Sequence, residues 1–176
     1  MRKVTFGVAN SLDNFIARRD HSVDWLLWGK EAAEVNSGFW PTIDTVVMGR
    51  KTFEAAIRLG QTEGYPGVKN YVLSRTLERI DGPVSIVSED ATKFVRSLKG
   101  RNGKGICVIG GGELAKSLFE SDLIDEIGFN IHPVLLGAGV PLFHSMSRQI
   151  NLELKECRAF KNGCVYVTYR VIHQHV

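Results

Sequence analysis

The sequence predicts a three-layer α/β protein on a mostly parallel mixed sheet, with an antiparallel hairpin at its carboxyl end. Strand-like and helix-like segments alternate up to about residue 119, which is typical of parallel strands with helices on both faces. Two further strand-like segments then flank Lys161-Asn162-Gly163, and Asn-Gly is a strong signal for a hairpin turn. No linker or repeat divides the chain, so we predict a single domain over residues 1–176.

In the first half of the chain, short apolar runs predict strands and longer amphipathic segments predict helices. The first strand covers 4–9 and is followed by a polar, irregular stretch from Asn10 to about Trp28. A helix over 30–39 ends near Pro41, and the nearly all-apolar run 45–48 is a strand that both helical layers cover. A second helix covers 52–59, and a loop over 60–67 takes its turns from Gly60, Gly64 and Gly67.

In the second half, the same signals predict the remaining elements. Strands cover 71–73 and 84–87, Asp90 caps a helix that runs to Leu98, and Gly100 ends it. A strand over 106–109 leads into a helix over 113–119. The last strands cover 125–132, 152–160 and 164–171.

Composition excludes several classes of protein. The net charge of +3, from 22 Lys and Arg against 19 Asp and Glu, is too small for a nucleic-acid-binding face. Three cysteines without metal-ligand spacing indicate free thiols in a reducing compartment. No segment approaches the ~20 apolar residues of a membrane span, and the amino terminus is too polar for a secretory signal. We expect a cytoplasmic protein with no metal site and with neither nucleic acid nor a membrane as partner.

Glycine is in excess, with 18 residues, and three of them follow a buried strand. Ile106 to Ile109 leads into Gly110-Gly111-Gly112, and a helix begins near Glu113. Ligands of α/β sheets bind at the carboxyl ends of strands, where a helix amino terminus offers free N–H groups to phosphate. A tight turn without a ligand fits this segment equally well.

Two further strand ends carry basic residues. Met48-Gly49-Arg50-Lys51 and Leu73-Ser74-Arg75 both follow apolar runs. Three strand ends can therefore converge on one anionic ligand, with Arg50, Lys51 and Arg75 supplying positive charge. Basic residues near an adenosine ribose favour a 2′-phosphate, which predicts NADPH rather than NADH as cofactor.

These three segments together resemble the dihydrofolate reductase superfamily. Met48-Gly49-Arg50-Lys51-Thr52-Phe53-Glu54 is similar to its M-G-R-x-T-[WF]-E signature, Asn70 to Arg75 to its N-x-x-L-S-[SR], and Val108 to Gly112 to its V-I-G-G-G. The segments Ser11 to Ala17, Leu123 to Ile127 and Pro133 to Phe143 resemble the reductase domain of bifunctional riboflavin-biosynthesis proteins.

The resemblance implies an NADPH-dependent reductase of dihydrofolate reductase-like fold, and it implies a homodimer. It places Gly49, Arg50, Lys51 and Thr52 on cofactor phosphates, and Leu73, Ser74 and Arg75 around the adenosine 2′-phosphate. It also places Gly110, Gly111, Gly112, Glu113 and Leu114 on the pyrophosphate, and Ala9 and Ile16 near the nicotinamide.

The substrate positions depart from folate reductases. Alanine, in Ala32-Ala33, stands where those enzymes carry a buried acid, and Glu34 follows one step on. Val68 replaces the arginine that pairs with the folate carboxylate, and Asn130 falls where a threonine supports the acid. Since a bidentate carboxylate partner is lost, we disfavour dihydrofolate as substrate.

The predicted reaction is hydride transfer from NADPH to a small planar heterocycle, pteridine- or pyrimidine-like. Candidate proton donors are Asp13 and Glu34, with a bound water as the alternative, and Trp25 is a candidate to stack on the substrate or to pin its loop. Two other functions stay open: a 5-amino-6-(5-phosphoribosylamino)uracil reductase, and an NADP(H)-binding protein without turnover. A pure interaction module leaves the three strand ends unexplained.

Overall fold

The computed structural model describes residues 1–60, 63–80 and 82–173. The strands are β1 (Val4–Ser11), β2 (Phe15–Ala17), β3 (Ile43–Gly49), β4 (Lys69–Leu73), β5 (Val84–Val87), β6 (Gly105–Ile109), β7 (Glu126–His132), β8 (Val140–Pro141), β9 (Asn151–Ala159) and β10 (Val165–Ile172). The helices are α1 (Lys30–Phe39), α2 (Arg50–Arg58), α3 (Ala91–Lys99) and α4 (Gly112–Glu120), and a 3-10 turn, Trp40–Thr42, follows α1. Part of the predicted loop over 60–67, at positions 61–62, lies outside the described residues.

Eight strands form one mixed sheet in the order β5-β4-β3-β6-β1-β7-β10-β9. The pairs from β5 to β7 are parallel, and β10 runs antiparallel to both β7 and β9. The structure therefore confirms the predicted mostly parallel sheet with a carboxyl-terminal antiparallel hairpin.

Helices cover both faces of the sheet. On one face, Phe94 and Leu98 of α3 and Leu118 of α4 lie in the same core cluster as Val4 and Phe6 of β1. Asp90 caps α3 as predicted, because its carboxylate accepts hydrogen bonds from the amides of Thr92 and Lys93.

The opposite face has smaller apolar clusters. Phe53 of α2 packs with Val46, Met48 and Val72 of the central strands. From α1, Ala32 is the buried residue, and it packs with Phe160 and Cys164 at the hairpin. The α1 helix therefore buries little apolar surface, and space is left between it and the sheet.

A small antiparallel ribbon of β2 and β8 corrects the predicted irregular stretch after Asn10. Phe15 pairs with Pro141, and Ala17 pairs with Val140. Gly139 allows this close approach, because a Cβ there would lie 2.1 Å from the carbonyl oxygen of Ala17. Strands this short have no periodicity of their own, so the ribbon depends on this distant pairing.

None of the helices in the described ranges is long and apolar enough to cross a membrane.

Candidate active site

Three strand ends that the sequence singled out are neighbours at the carboxyl edge of the sheet. Gly49 at the end of β3 pairs with Leu73 at the end of β4. On the other side, Met48 pairs with Ile109 at the end of β6. This adjacency follows from parallel pairing, and it brings the segments after β3, β4 and β6 to one edge.

Two helices begin at this edge without a side-chain cap. The residue before α2 is Gly49 and the residue before α4 is Gly111, and neither terminus receives a side-chain hydrogen bond. Their first amide groups therefore stay available to an external acceptor, whereas Asp90 occupies those of α3. Two such termini side by side present free N–H donors and positive dipole ends, a combination that suits an anion such as a diphosphate.

Glycine lets the two termini approach each other. Gly110 and Gly111 both have left-handed backbone angles, with φ of 63° and 59°. A Cβ at Gly110 would lie 2.6 Å from the Oγ1 atom of Thr52, and one at Gly112 would lie 2.5 Å from the carbonyl oxygen of Leu142. The glycine turn thus sits directly against the first turn of α2, and any side chain at Gly110 would separate them.

The charged residues at this edge differ in whether their side chains form an ion pair within the protein. Arg50 Nη1 is 3.0 Å from Glu54 Oε1 on the next turn of α2. Lys51 and Arg75 are exposed, and among the described residues neither side chain has a hydrogen-bond or ion-pair partner. Glu113 is exposed in the first turn of α4, where it adds a carboxylate to the same edge.

Three uncharged residues that the resemblance places at the cofactor, Ser74, Leu114 and Ile16, make contacts that mainly support the fold. Ser74 Oγ accepts hydrogen bonds from the amides of Thr76 and Leu77, at 3.2 and 3.0 Å, and so fixes the turn after β4. Leu114 and Ile16 are partly buried against the main core cluster.

A cavity of about 460 Å³ lies between α1 and the sheet, and we call it the ring cavity. Its floor is formed by β1 and β7, where Gly7 lies directly opposite Gly128 and Ala9 opposite Asn130. Because neither glycine has a side chain, the floor is flat and deep at its centre. Ala9 lies at the end of the cavity that faces the carboxyl edge, and its place near a nicotinamide, which the resemblance implies, stays a prediction.

Aromatic side chains form one wall of the ring cavity. Trp40 stacks on Tyr65 with ring centroids 4.9 Å apart, and Phe39 meets Trp40 edge to face at 5.6 Å. Burial, followed by the nearby Cys107, raises the pKa of Tyr65 to about 12, and burial alone raises the pKa of Cys107 to about 12. Both groups therefore stay neutral at physiological pH, and the wall suits an uncharged planar ring.

The two candidate proton donors do not line the ring cavity. Asp13 braces two loops: its carboxylate accepts from Ser11 Oγ at 2.6 Å and from the amides of Leu136 and Gly137 at 3.1 and 2.8 Å. The Ser11 hydrogen bond, supported by the two amides, holds the pKa of Asp13 below its usual value. An acid that is ionised and engaged in this way is a poor proton donor.

Glu34 is exposed on α1 and faces a neighbouring cavity instead. Ala32 and Asn36 are the α1 residues that turn toward the ring cavity at the level of its floor. Folate reductases carry a buried acid on the side of this helix that faces the substrate. In this protein that side of α1 presents the methyl group of Ala32 and the carboxamide of Asn36.

Trp25 is buried beside His132 rather than in the cavity lining. It is 7 % exposed, and its ring meets the His132 imidazole edge to face at 5.3 Å. Trp28, three residues on, lines the ring cavity and is 77 % exposed. Of the two roles expected for Trp25, these contacts fit the one in which it pins the loop.

His132 links that loop to the cavity floor. Its Nδ1 accepts a hydrogen bond from the Leu27 amide at 3.2 Å, which places the ring proton on Nε2. Nε2 lies 3.3 Å from Nδ2 of Asn130, whose side chain lines the ring cavity. Because both atoms are then N–H donors, this is a packing contact and not a hydrogen bond. Burial lowers the pKa of His132, so the imidazole is held neutral in this arrangement.

Sequence reasoning missed most of the residues that line the ring cavity. One signal was available, because alternate positions of β1 (Thr5, Gly7, Ala9) and of β7 (Glu126, Gly128, Asn130) are small or polar. Alternation of this kind marks a strand face that no side chain fills.

Comparison with known proteins agrees with this geometry. The family model for the RibD C-terminal domain matches residues 2–166. The chain belongs to the RibD C-terminal domain family. It is 36 % identical over 161 residues to the uncharacterized protein YwjB of Bacillus subtilis (strain 168), covering 90 % of this chain and 92 % of YwjB.

Solved structures extend the likeness to the RibD C-terminal fold. A putative riboflavin biosynthesis protein from Shewanella sp. PV-4 has a TM-score of 0.79 at 27 % identity, over 98 % of this chain and all of that one. A pyrimidine reductase-like protein from Corynebacterium diphtheriae has a TM-score of 0.74 at 15 % identity, over 98 % and 93 %, which shows the fold alone. The chain is thus a reductase-like domain of the RibD type, with the dihydrofolate reductase-like fold that its motifs predicted.

The residues present fit NADPH, the cofactor that reductase domains of this family generally use. The cradle at Gly110 and Gly111, which a Cβ would fill, and the uncapped starts of α2 and α4 suit a diphosphate. The exposed guanidinium of Arg75 suits a 2′-phosphate, and Ala9 leaves room for a nicotinamide ring beside the ring cavity.

Proposed function

We propose that this protein is an NADPH-dependent reductase that transfers hydride to a small planar heterocycle, pteridine- or pyrimidine-like. The observation that carries the proposal is the position of the ring cavity. It lies between α1 and the sheet, and Ala9 at its end adjoins the edge where the two uncapped helices begin. Cofactor and substrate sites of a reductase must meet in this way.

The chain's own residues bind and orient in this mechanism. The first amides of α2 and α4 hold the cofactor diphosphate, with Thr52 and Gly110 setting their spacing. Lys51 and Arg75 add positive charge, and Arg75 binds the 2′-phosphate. When bound, NADPH supplies the hydride.

The cavity holds the substrate ring against the cofactor. The flat floor at Gly7 and Gly128 and the stacked Trp40 and Tyr65 fix the plane of the ring. Asn130, which packs against His132, presents its carboxamide to the edge of the ring.

The proton comes from water in this proposal. Asp13 and Glu34 lie outside the ring cavity, and Glu126, the acid that does line it, pairs with Thr5 far down the strand from Ala9. Since Ala9 marks the hydride end, a water at the carboxamides of Asn36 and Asn130 is the donor that fits this cavity.

The experiment is a panel assay that follows the loss of NADPH absorbance with pteridines, pyrimidines, quinones and folates. We expect turnover of at least one uncharged pteridine or pyrimidine and weak or absent turnover of dihydrofolate. Efficient dihydrofolate reduction would contradict the substrate class, because Val68 replaces the carboxylate-binding arginine. NADPH binding without turnover of any compound would favour a cofactor-binding protein that lacks catalysis.

Membership of the RibD C-terminal domain family favours a second candidate, a 5-amino-6-(5-phosphoribosylamino)uracil reductase. Its substrate carries a ribose phosphate, so the same panel includes this compound. Turnover of it in preference to all others would favour this function.

A further inference from the structure

A second cavity of about 550 Å³ continues from the ring cavity toward the amino-terminal edge of the sheet, and we call it the outer compartment. The two share Thr5, Phe39, Glu126 and Tyr166 in their walls. A ligand whose ring lies over Gly7 and Gly128 can therefore extend a substituent into the outer compartment. The chemistry of that compartment bears on which substituent the substrate carries.

The shared wall presents an acceptor and a hydroxyl to such a ligand. Glu126 lines both cavities, and among the described residues it is the one charged group in the ring cavity. The Tyr166 hydroxyl lies beside the floor, 3.6 Å from where a Cβ of Gly128 would be. Burial, followed by the Glu156 carboxylate, raises the pKa of Tyr166, so this hydroxyl stays protonated.

Both cations of the outer compartment are already paired. Lys3 Nζ is 2.6 Å from Glu126 Oε1, and Arg158 Nη2 is 2.7 Å from Glu156 Oε1. Glu34 also lines the compartment, and within the described ranges its carboxylate has no hydrogen-bond or ion-pair partner. Two cations and three carboxylates leave a net charge of −1 on the described lining.

This charge distribution opposes an anionic substituent. A phosphate or carboxylate that leaves water needs a cationic side chain as partner. The strongest partner is a guanidinium that binds with two parallel hydrogen bonds and is not already paired with another carboxylate. Here an anion would have to displace a carboxylate from Lys3 or Arg158 and would face Glu34 as well. Amino and hydroxyl groups, in contrast, can donate to Glu126 and to the other carboxylates without such a cost.

We propose that the substrate is a planar heterocycle without phosphate or carboxylate, whose amino or hydroxyl substituent extends past Tyr166 and donates to Glu126. This inference rests on the proposed reductase function and narrows its substrate class. It also separates this protein from a reductase of a phosphoribosylated pyrimidine, although both would share the fold and the cofactor site.

The test compares matched ligands that differ in the anionic group alone. The first pair is 5-amino-6-(5-phosphoribosylamino)uracil and its dephosphorylated nucleoside, and the second pair is dihydrofolate and its dimethyl ester, in which both glutamate carboxyls are neutral. Calorimetric titration of the protein saturated with NADP⁺, which has no hydride to transfer, should show the uncharged member of each pair binding at least about tenfold more tightly. The proposal would be overturned if either anionic ligand bound more tightly than its uncharged partner, if the two members of a pair bound with equal affinity, or if none of the four ligands bound.

A charge reversal gives an independent readout. Glu34→Lys changes the described lining from −1 to +1 at an exposed helix position, and it should tighten binding of the phosphorylated ligand about tenfold at low salt. Glu89→Lys, at an exposed position outside both cavities, is the matched control for net charge. Equal responses of the two variants would contradict a role for the outer compartment.

Failure of this proposal is distinguishable from failure of the reductase function. Ligand titrations repeated without cofactor report on the two cavities alone, whereas NADPH titration reports on the carboxyl edge. A protein that binds NADPH and prefers the phosphorylated ligand would retain the reductase function and lose this inference.

Discussion

At the scale of single residues, Gly128 sets the depth of the ring cavity. A methyl group there would lie 3.6 Å from the Tyr166 hydroxyl, which is an ordinary contact, so the fold accepts alanine. We expect Gly128→Ala to be as stable as the wild type or up to about 1 kcal/mol more stable, because alanine loses less backbone entropy on folding. The same methyl fills the floor and should raise KM for the heterocycle about tenfold.

Steady-state kinetics and thermal unfolding of the same preparation measure both effects. Gly100→Ala is the matched control, since it lies at the end of α3, outside the cavity lining, and its Cβ would also make an ordinary contact. An unchanged KM in Gly128→Ala would show that no ligand lies on this floor.

His132 makes the stability of the loop over residues 18–29 depend on pH. Burial lowers its pKa below the unfolded value of about 6.5, so its neutral form contributes stability that is complete above about pH 6.5. That stability is lost as the pH falls through about 6.5 toward the folded pKa, because the unfolded chain then binds more protons.

Thermal unfolding between about pH 7.5 and about pH 5.5 tests this coupling. The wild-type Tm should fall more steeply than that of His132→Asn, whose carboxamide can still accept from the Leu27 amide. His21→Asn, at an exposed position with φ of 65°, should keep the wild-type slope. Parallel Tm profiles for the wild type and His132→Asn would refute the assignment.

At the scale of elements, the anion site proposed at the carboxyl edge depends on the short distance between the amino termini of α2 and α4. Gly110→Ala would place a methyl 2.6 Å from Thr52 in a left-handed turn, and we expect it to cost a few kcal/mol of stability and most of the NADPH affinity. Gly137→Ala is the control, because Gly137 has a similar φ of 70° with no atom within 4 Å of the Cβ position. It should lose only the ~1–2 kcal/mol of backbone strain. Equal NADPH affinity in the two variants, measured by titration, would contradict the cradle.

Elements with local signals could be predicted from sequence, and elements that depend on distant pairing could not. The residues directly before Gly49 and Gly110 form continuous apolar runs, because helices cover both faces of these strands. Each strand and the glycine turn after it could therefore be predicted from the sequence. In contrast, the ribbon of β2 and β8 and the floor at Gly7 and Gly128 exist through partners far apart in the chain. The sequence accordingly supplied candidate residues at all three strand ends of the carboxyl edge, whereas most residues that line the ring cavity were missed.

At the scale of the whole molecule, the edge strand β9 leaves apolar surface uncovered. Leu152 and Leu154 are 41 % and 55 % exposed. Each pairs with a residue of β10, Val171 or Tyr169, that packs in the main core, so the apolar face continues past the last helix. We propose that a second copy of the chain covers this face, as the resemblance to riboflavin-pathway reductases also implies.

Light scattering after gel filtration measures this assembly across the micromolar range. The wild type should elute as a dimer and Leu154→Glu as a folded monomer. Leu135→Glu, at an exposed loop position away from β9, should stay dimeric. A wild type that is monomeric throughout this range would contradict the proposal.

A titration of the purified protein with NADPH and, in parallel, with NADH tests the cofactor site at the carboxyl edge most directly. The uncapped starts of α2 and α4 predict saturable binding of NADPH. The exposed Arg75 predicts that NADPH binds at least about tenfold more tightly than NADH, and that Arg75→Ala removes this preference while Gly137→Ala keeps it. No binding of NADPH at near-millimolar concentration would contradict the cofactor site and the reductase function together.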